Sequence, residues 1–135
     1  MRIRTVAVLA NVLGTCVLAA CGDDGGPVAP SDVAGEYALQ TVNESPLPFE
    51  VQQPPGAEIL AGGVSLRSGS RYDLLLDYRD KVGSSSYEES GTWGMFAGDS
   101  IFFRPEGSVP LYRGRVAGGV LTTLTPDGLS LRFGR

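Results

Sequence analysis

Histidine is absent from the 135 residues, and cysteine occurs only twice, at Cys16 and Cys21. The first absence removes the commonest general base and the commonest metal-binding nitrogen together. The second excludes a disulfide framework, because a bridge between these two closes only a trivial loop and no downstream cysteine pairs with either. Positive charge is also scarce, with eleven basic residues against fifteen acidic ones. Two of the eleven, Arg2 and Arg4, stand at the very start; without them nine face fifteen, a formal charge of −6. A nucleic-acid partner wants a basic face, so this balance speaks against one. Beyond the first 20 residues, no window carries helical periodicity.

These shortages weigh against catalysis. A Ser or Thr nucleophile lacks an imidazole to activate it. Glu88 and Glu89 are adjacent, so on a strand they point to opposite faces and cannot share a substrate as an acid/base pair. Asp73 and Asp77 share a face, but a solvated one. Without histidine or a free thiol zinc has no ligand set, and no aspartate spacing matches a calcium loop. The expectation is a protein that is not an enzyme and has neither a metal nor a cofactor.

What is abundant points to β-structure. Hydrophobic residues make up 42% and charged ones 19%, a globular balance, while 19 glycines and 9 prolines favour many short elements joined by tight turns. The N-terminus differs from the rest. After Arg2 and Arg4, residues Thr5 to Ala20 are uncharged and mostly Val, Leu and Ala, the pattern of a secretory signal peptide. A transmembrane anchor needs about 20 apolar residues, and this run is shorter and interrupted by Asn11 and Gly14.

The run ends in Leu18-Ala19-Ala20-Cys21, which resembles the lipobox of bacterial lipoprotein precursors. The resemblance implies a diacylglyceryl group on the Cys21 thiol, cleavage just before Cys21, and acylation of the new amino terminus. A thiolate suits thioether formation, and multiple acyl chains anchor firmly where one does not. The alternative is an ordinary signal peptide cut after Ala20 with a chance cysteine following. Gly22, where an aspartate favours inner-membrane retention in enterobacterial relatives, points to the outer membrane. Gly22 to Ser31, "GDDGGPVAPS", reads as an extended tether. The expected organisation is a signal peptide over 1–20, lipidated Cys21 and tether over 21–32, and a folded domain over 33–135.

Within the domain the period is two. "GEYALQTVN" sets Tyr37, Leu39 and Thr41 opposite Glu36, Ala38 and Gln40; "RYDLLLDYR" sets Tyr72, Leu74, Leu76 and Tyr78 opposite Asp73, Leu75, Asp77 and Arg79. Turn signals near residues 69, 83, 98, 107, 118 and 127 separate further strands: "GGVSLR", "SYEESGTWGMF", "SIFFRP", "PLYRGRVA", "VLTTLT" and "LSLRF". About eight short antiparallel strands must hide their edges, and closure into an up-and-down barrel does so most simply, with a small sandwich as the alternative. The segment from Glu44 to Glu58, with prolines at 46, 48, 54 and 55, reads as a lid-like loop or edge strand across one end.

"GEYALQTVN", "SGTWGMFAGDSIFF" and "YRGRVAGGVLTTL" resemble the lipocalin-like small β-barrels of bacterial lipoproteins. That resemblance implies a Gly-x-aromatic motif at Gly35-Glu36-Tyr37 with Arg132 packed over the ring. Tyr37, Tyr72, Tyr78, Trp93, Phe103 and Tyr112 are candidate walls of an apolar ligand site. Their competing role is to fill the interior, since an eight-stranded barrel is just wide enough for side chains. Arg104, Arg113, Arg115 and Arg132 form either a basic stripe for an anion or a solvated outer face. The expected function is a lipid-anchored barrel that binds a small hydrophobic ligand or acts as a surface scaffold; the expected partners are the membrane, through the N-terminal anchor, and that ligand or an envelope protein. A different class of function is a protein-interaction module, such as an inhibitor of a basic envelope-attacking enzyme.

Overall fold

The computed structural model describes residues 29–52 and 56–135. The expected signal peptide, Cys21 and the tether up to residue 28 lie outside the described residues, as do Pro54 and Pro55.

Among the described residues Pro30–Val33 form a single helical turn, α1, and ten strands follow: β1 Gly35–Val42, β2 Ser45–Pro46, β3 Phe49–Val51, β4 Ala57–Leu66, β5 Arg71–Arg79, β6 Ser84–Ala97, β7 Ser100–Pro105, β8 Tyr112–Ala117, β9 Val120–Leu124 and β10 Ser130–Gly134. From β4 to β10 each strand pairs with the next. β1 pairs antiparallel with β10 through Ala38 and Gly134, and with β4 through Gly35 and Leu66. The eight strands therefore close into an all-antiparallel up-and-down barrel, with β2 and β3 as two short additions. Among the described residues no helix is long and apolar enough to cross a membrane.

The Pro-rich segment behaves as an edge. β1 and β4 pair only over Gly35–Ala38, after which β2 lines β1 and β3 lines β4. The β1–β2 turn has two residues, Asn43 and Glu44, both at positive φ (48° and 65°). This is the handedness that a two-residue hairpin requires, and Asn tolerates it well. Asn43 is pinned from outside the turn: its N–H donates to the Ser130 carbonyl and its Oδ1 accepts from the Ser130 N–H, both at 2.8 Å.

Alternation places the core. Tyr37, Leu39, Val64, Leu66, Tyr72, Leu74, Trp93, Ile101, Phe103, Val116, Leu121, Leu131 and Phe133 all point inward and are buried. Phe103 stacks on Tyr112 with centroids 5.1 Å apart and meets Tyr72 edge-on at 5.0 Å. One departure from strict alternation occurs in β1, where a register shift between Leu39 and Thr41 makes Val42, not Thr41, the next buried residue.

β6 runs along β5 over Ser84–Thr92 and along β7 over Gly91–Ala97. Gly91 is where it changes partner. A Cβ there would collide with the Arg104 carbonyl oxygen and the Tyr72 ring, so this close approach requires glycine.

The two ends of the barrel differ. At one end the turns are tight, and α1 with buried Val33 plugs the opening. Pro30 and Ser31, expected as extended tether, are helical instead because Pro30 stands at the start of the turn, where its fixed φ suits a helix and its missing N–H is not needed. The Tyr37 hydroxyl donates to the Val33 carbonyl at 2.6 Å. The cation over that ring is Arg135, 5.2 Å from its centroid, and not the expected Arg132. Arg132 lies between inward-facing Leu131 and Phe133, so alternation turns it out to solvent; Arg135, past the strand end, folds back across the plug. At the other end, the mouth, the connections 80–83, 106–111 and 125–129 meet the β1–β2 turn and the short strands β2 and β3.

Candidate functional site: a cavity at the barrel mouth

β5 and β6 place Leu74 directly across from Glu89 and Leu76 across from Tyr87. Cross-strand partners share a face, so burial of Leu74 turns Glu89 toward the interior. Its neighbour Glu88 is exposed and lies across from exposed Leu75, on the outward face.

Three phenols converge on the Glu89 carboxylate. Oε1 accepts from Tyr72 and from Tyr112, both at 2.6 Å, and Oε2 accepts from Tyr87 at 2.8 Å. A carboxylate has roughly four acceptor positions, so Oε1 is saturated and Oε2 has one left. Burial, and then donation to Glu89, holds the Tyr72 and Tyr112 hydroxyls far above the ordinary phenol range. The same causes push the more exposed Tyr87 up to about 12. All three therefore stay protonated donors at neutral pH.

Above this cluster lies a cavity of about 310 Å³. Leu74, Leu76, Tyr87 and Glu89 form one wall, Val109 and Tyr112 another, and Thr125, Pro126, Asp127 and Leu129 of the β9–β10 connection close it. The connection is a compact turn: the Thr125 hydroxyl donates to Asp127 and accepts the Leu129 N–H at 3.0 Å. The surface is mostly hydrocarbon with a carboxylate at its floor and a second, Asp127, at its rim. Among the described residues, none that lines it is Lys or Arg.

Of the six aromatic candidates, Tyr112 alone lines this cavity. Tyr72 reaches it only through the Glu89 carboxylate. Tyr37, Trp93 and Phe103 are buried among other side chains, with the Trp93 indole N–H donating to the Arg67 carbonyl at 3.0 Å. Tyr78 is half-buried near the end of β5. Tyr87 is not among the residues the sequence singled out, and Glu89 enters there only as half of a rejected acid/base pair. Counting back by twos from Trp93 leads through Gly91 to Glu89 and Tyr87, so the signal was present once Trp93 is assigned to the inside.

The four arginines stand on the outer face and are exposed. Arg115 forks onto Asp99 at 2.6 and 3.1 Å, which holds the Asp99 carboxyl below its ordinary range and raises Arg115. Arg113 lies 5.0 Å over the exposed Phe96 ring. The outer carboxylates of β1 and β5 take serine hydroxyls, Glu36 from Ser65, Asp73 from Ser90 and Asp77 from Ser86. Among the described residues no group of histidine, cysteine, aspartate and glutamate side chains is arranged to hold a metal ion. No protein-family model matches the chain, and no curated protein matches it.

Proposed function

We propose that this is a lipid-anchored protein of the bacterial cell envelope whose barrel holds a small hydrophobic ligand in the mouth cavity. The observation that carries the binding role is the apolar cavity of about 310 Å³ over the Glu89 cluster, a volume within the range of small-molecule sites. The anchoring rests on Leu18-Ala19-Ala20-Cys21 and the preceding uncharged run. Gly22 favours the outer membrane. The role proposed is binding: the phenols are held as neutral donors, and the Thr125 hydroxyl beside Asp127 is engaged by the Leu129 N–H within its turn.

Topology supports a particular orientation. The chain enters the barrel at the plugged end, beside α1, and the mouth lies at the opposite end. A protein held through Cys21 would present the cavity away from the bilayer, toward molecules arriving from the aqueous side.

Mass spectrometry of membrane-extracted protein tests the anchor: the expected species begins at Cys21 and carries acyl chains, and an unmodified Cys21 terminus or an uncleaved leader overturns it. Native mass spectrometry after exposure to an envelope lipid extract tests the ligand. A retained small molecule is expected, and repeated absence removes the binding role.

A second reading, a protein-interaction module such as an inhibitor of a basic envelope-attacking enzyme, draws on a different observation. Val82, Val109 and Leu111 are exposed on the connections around the mouth, and Leu124 is exposed at the adjoining end of β9. Inhibition of lysozyme by the purified protein distinguishes the two.

A further inference from the structure

We propose that the mouth cavity selects apolar molecules bearing a cationic amine, with Glu89 as the counter-charge at its floor and Asp127 at its rim. The inference rests on the binding role given above and adds the chemical class of the ligand.

Charge complementarity decides the class. An anionic amphiphile such as a fatty acid would bring its headgroup into a cavity that holds two carboxylates and no lining cation. Placing like charges together in partly desolvated surroundings is unfavourable, and nothing in the lining offsets it. A neutral alcohol finds hydrocarbon walls but leaves the charge of Glu89 unanswered. An alkylammonium answers it.

The hydrogen-bond inventory points the same way. Oε1 of Glu89 is filled by two tyrosines, while Oε2 accepts from Tyr87 alone and keeps one acceptor position. What the floor can still take is a donor. An ammonium has three, enough to reach Oε2 and a phenol oxygen together. The tyrosines pin the carboxylate from below, so its position is set before the ligand arrives, which favours selectivity. The Leu74, Leu76, Val109 and Leu129 side chains then cover the alkyl part.

The test titrates the full chain, in nanodiscs of phosphatidylcholine, with octylammonium, octanoate and octanol, against empty nanodiscs. Binding is read by calorimetry and by the methyl resonances of Leu76, Val109 and Leu129. Octylammonium is expected to bind one-to-one and roughly tenfold or more tighter than octanoate, as a charge-assisted hydrogen bond would give. Glu89→Gln is expected to abolish that preference while octanol binding stays within about twofold. Octanoate binding as tightly as octylammonium, or a folded Glu89→Gln that keeps the preference, overturns the amine assignment and leaves the cavity a binding site. Failure of all three probes removes the binding role itself, and the inference with it. Asp127→Asn leaves the floor intact and guards against a misfolded Glu89→Gln. It is expected to weaken octylammonium about twofold to threefold without affecting octanol, and equal weakening of all three probes counts against the electrostatic account.

Discussion

The Arg135 guanidinium lies 5.2 Å above the Tyr37 ring while donating to the carbonyls of Ala34 and Asp32. It thus ties the end of β10 to the plug at the start of β1. Arg135→Ala is expected to destabilise the fold by about 1–2 kcal/mol, the sum of an exposed cation–π contact and two partly exposed hydrogen bonds. Arg135→Lys recovers only part, because an ammonium cannot fork between two carbonyls over a ring. Urea denaturation monitored by the fluorescence of Trp93 measures both.

Alkaline pH should unfold the barrel. Tyr37, Tyr72, Tyr87 and Tyr112 all have raised native pKa values. In the unfolded chain a phenol loses its proton near pH 10, whereas the buried native hydroxyl keeps it, so above that pH the native state binds more protons and stability falls. The contribution is complete below about pH 10 and is lost as pH rises through the native values, at about 1.4 kcal/mol per pH unit for each fully buried tyrosine. Denaturation midpoints between pH 9 and 12 give the slope, and Tyr112→Phe is expected to flatten it.

Gly91→Ala places a methyl group against the Arg104 carbonyl and the Tyr72 ring. Backbone on one side and a buried aromatic on the other leave little room to yield. A loss at the upper end of the 1–3 kcal/mol (roughly) usual for overpacking is expected, read as a drop in Tm.

Asn43→Ala removes the acceptor for the Ser130 N–H and puts alanine at positive φ. Both effects act in the same direction, for about 1–3 kcal/mol in total. Hydrogen exchange should show the loss first at Ser130 and along β2, the mouth side of the barrel.

The barrel was legible because alternation and turn residues are local signals. Tyr72, Leu74 and Leu76 against Asp73, Leu75 and Asp77 declare a half-buried strand with no partner in view, and Gly118-Gly119 declares a tight turn. Long-range geometry was not legible. Which of Arg132 and Arg135 covers Tyr37 depends on where β10 ends against α1, and alternation in β1 breaks at a bulge that no residue between Leu39 and Thr41 announces. The pair Glu88-Glu89 was rightly divided between faces, but the value of the inward member comes from Tyr72 on β5 and Tyr112 on β8 meeting it, a convergence set by register across separate strands. The neighbours of Pro30 predict a tether, although proline also opens helices.

Six of the eight pairings around the barrel join consecutive strands, and both of the others belong to β1. Each consecutive pair can zip as soon as its own turn forms, but β1 finds β10 only after some ninety intervening residues have emerged, and loop-closure entropy opposes so distant a meeting. β1 reaches β4 across only about twenty-five residues, so a growing chain is an open sheet with bare edges on β1 and, at the end, on β10. The final strand both completes the barrel and removes the last surface on which another chain could add, so the window for aggregation closes only when β10 meets β1.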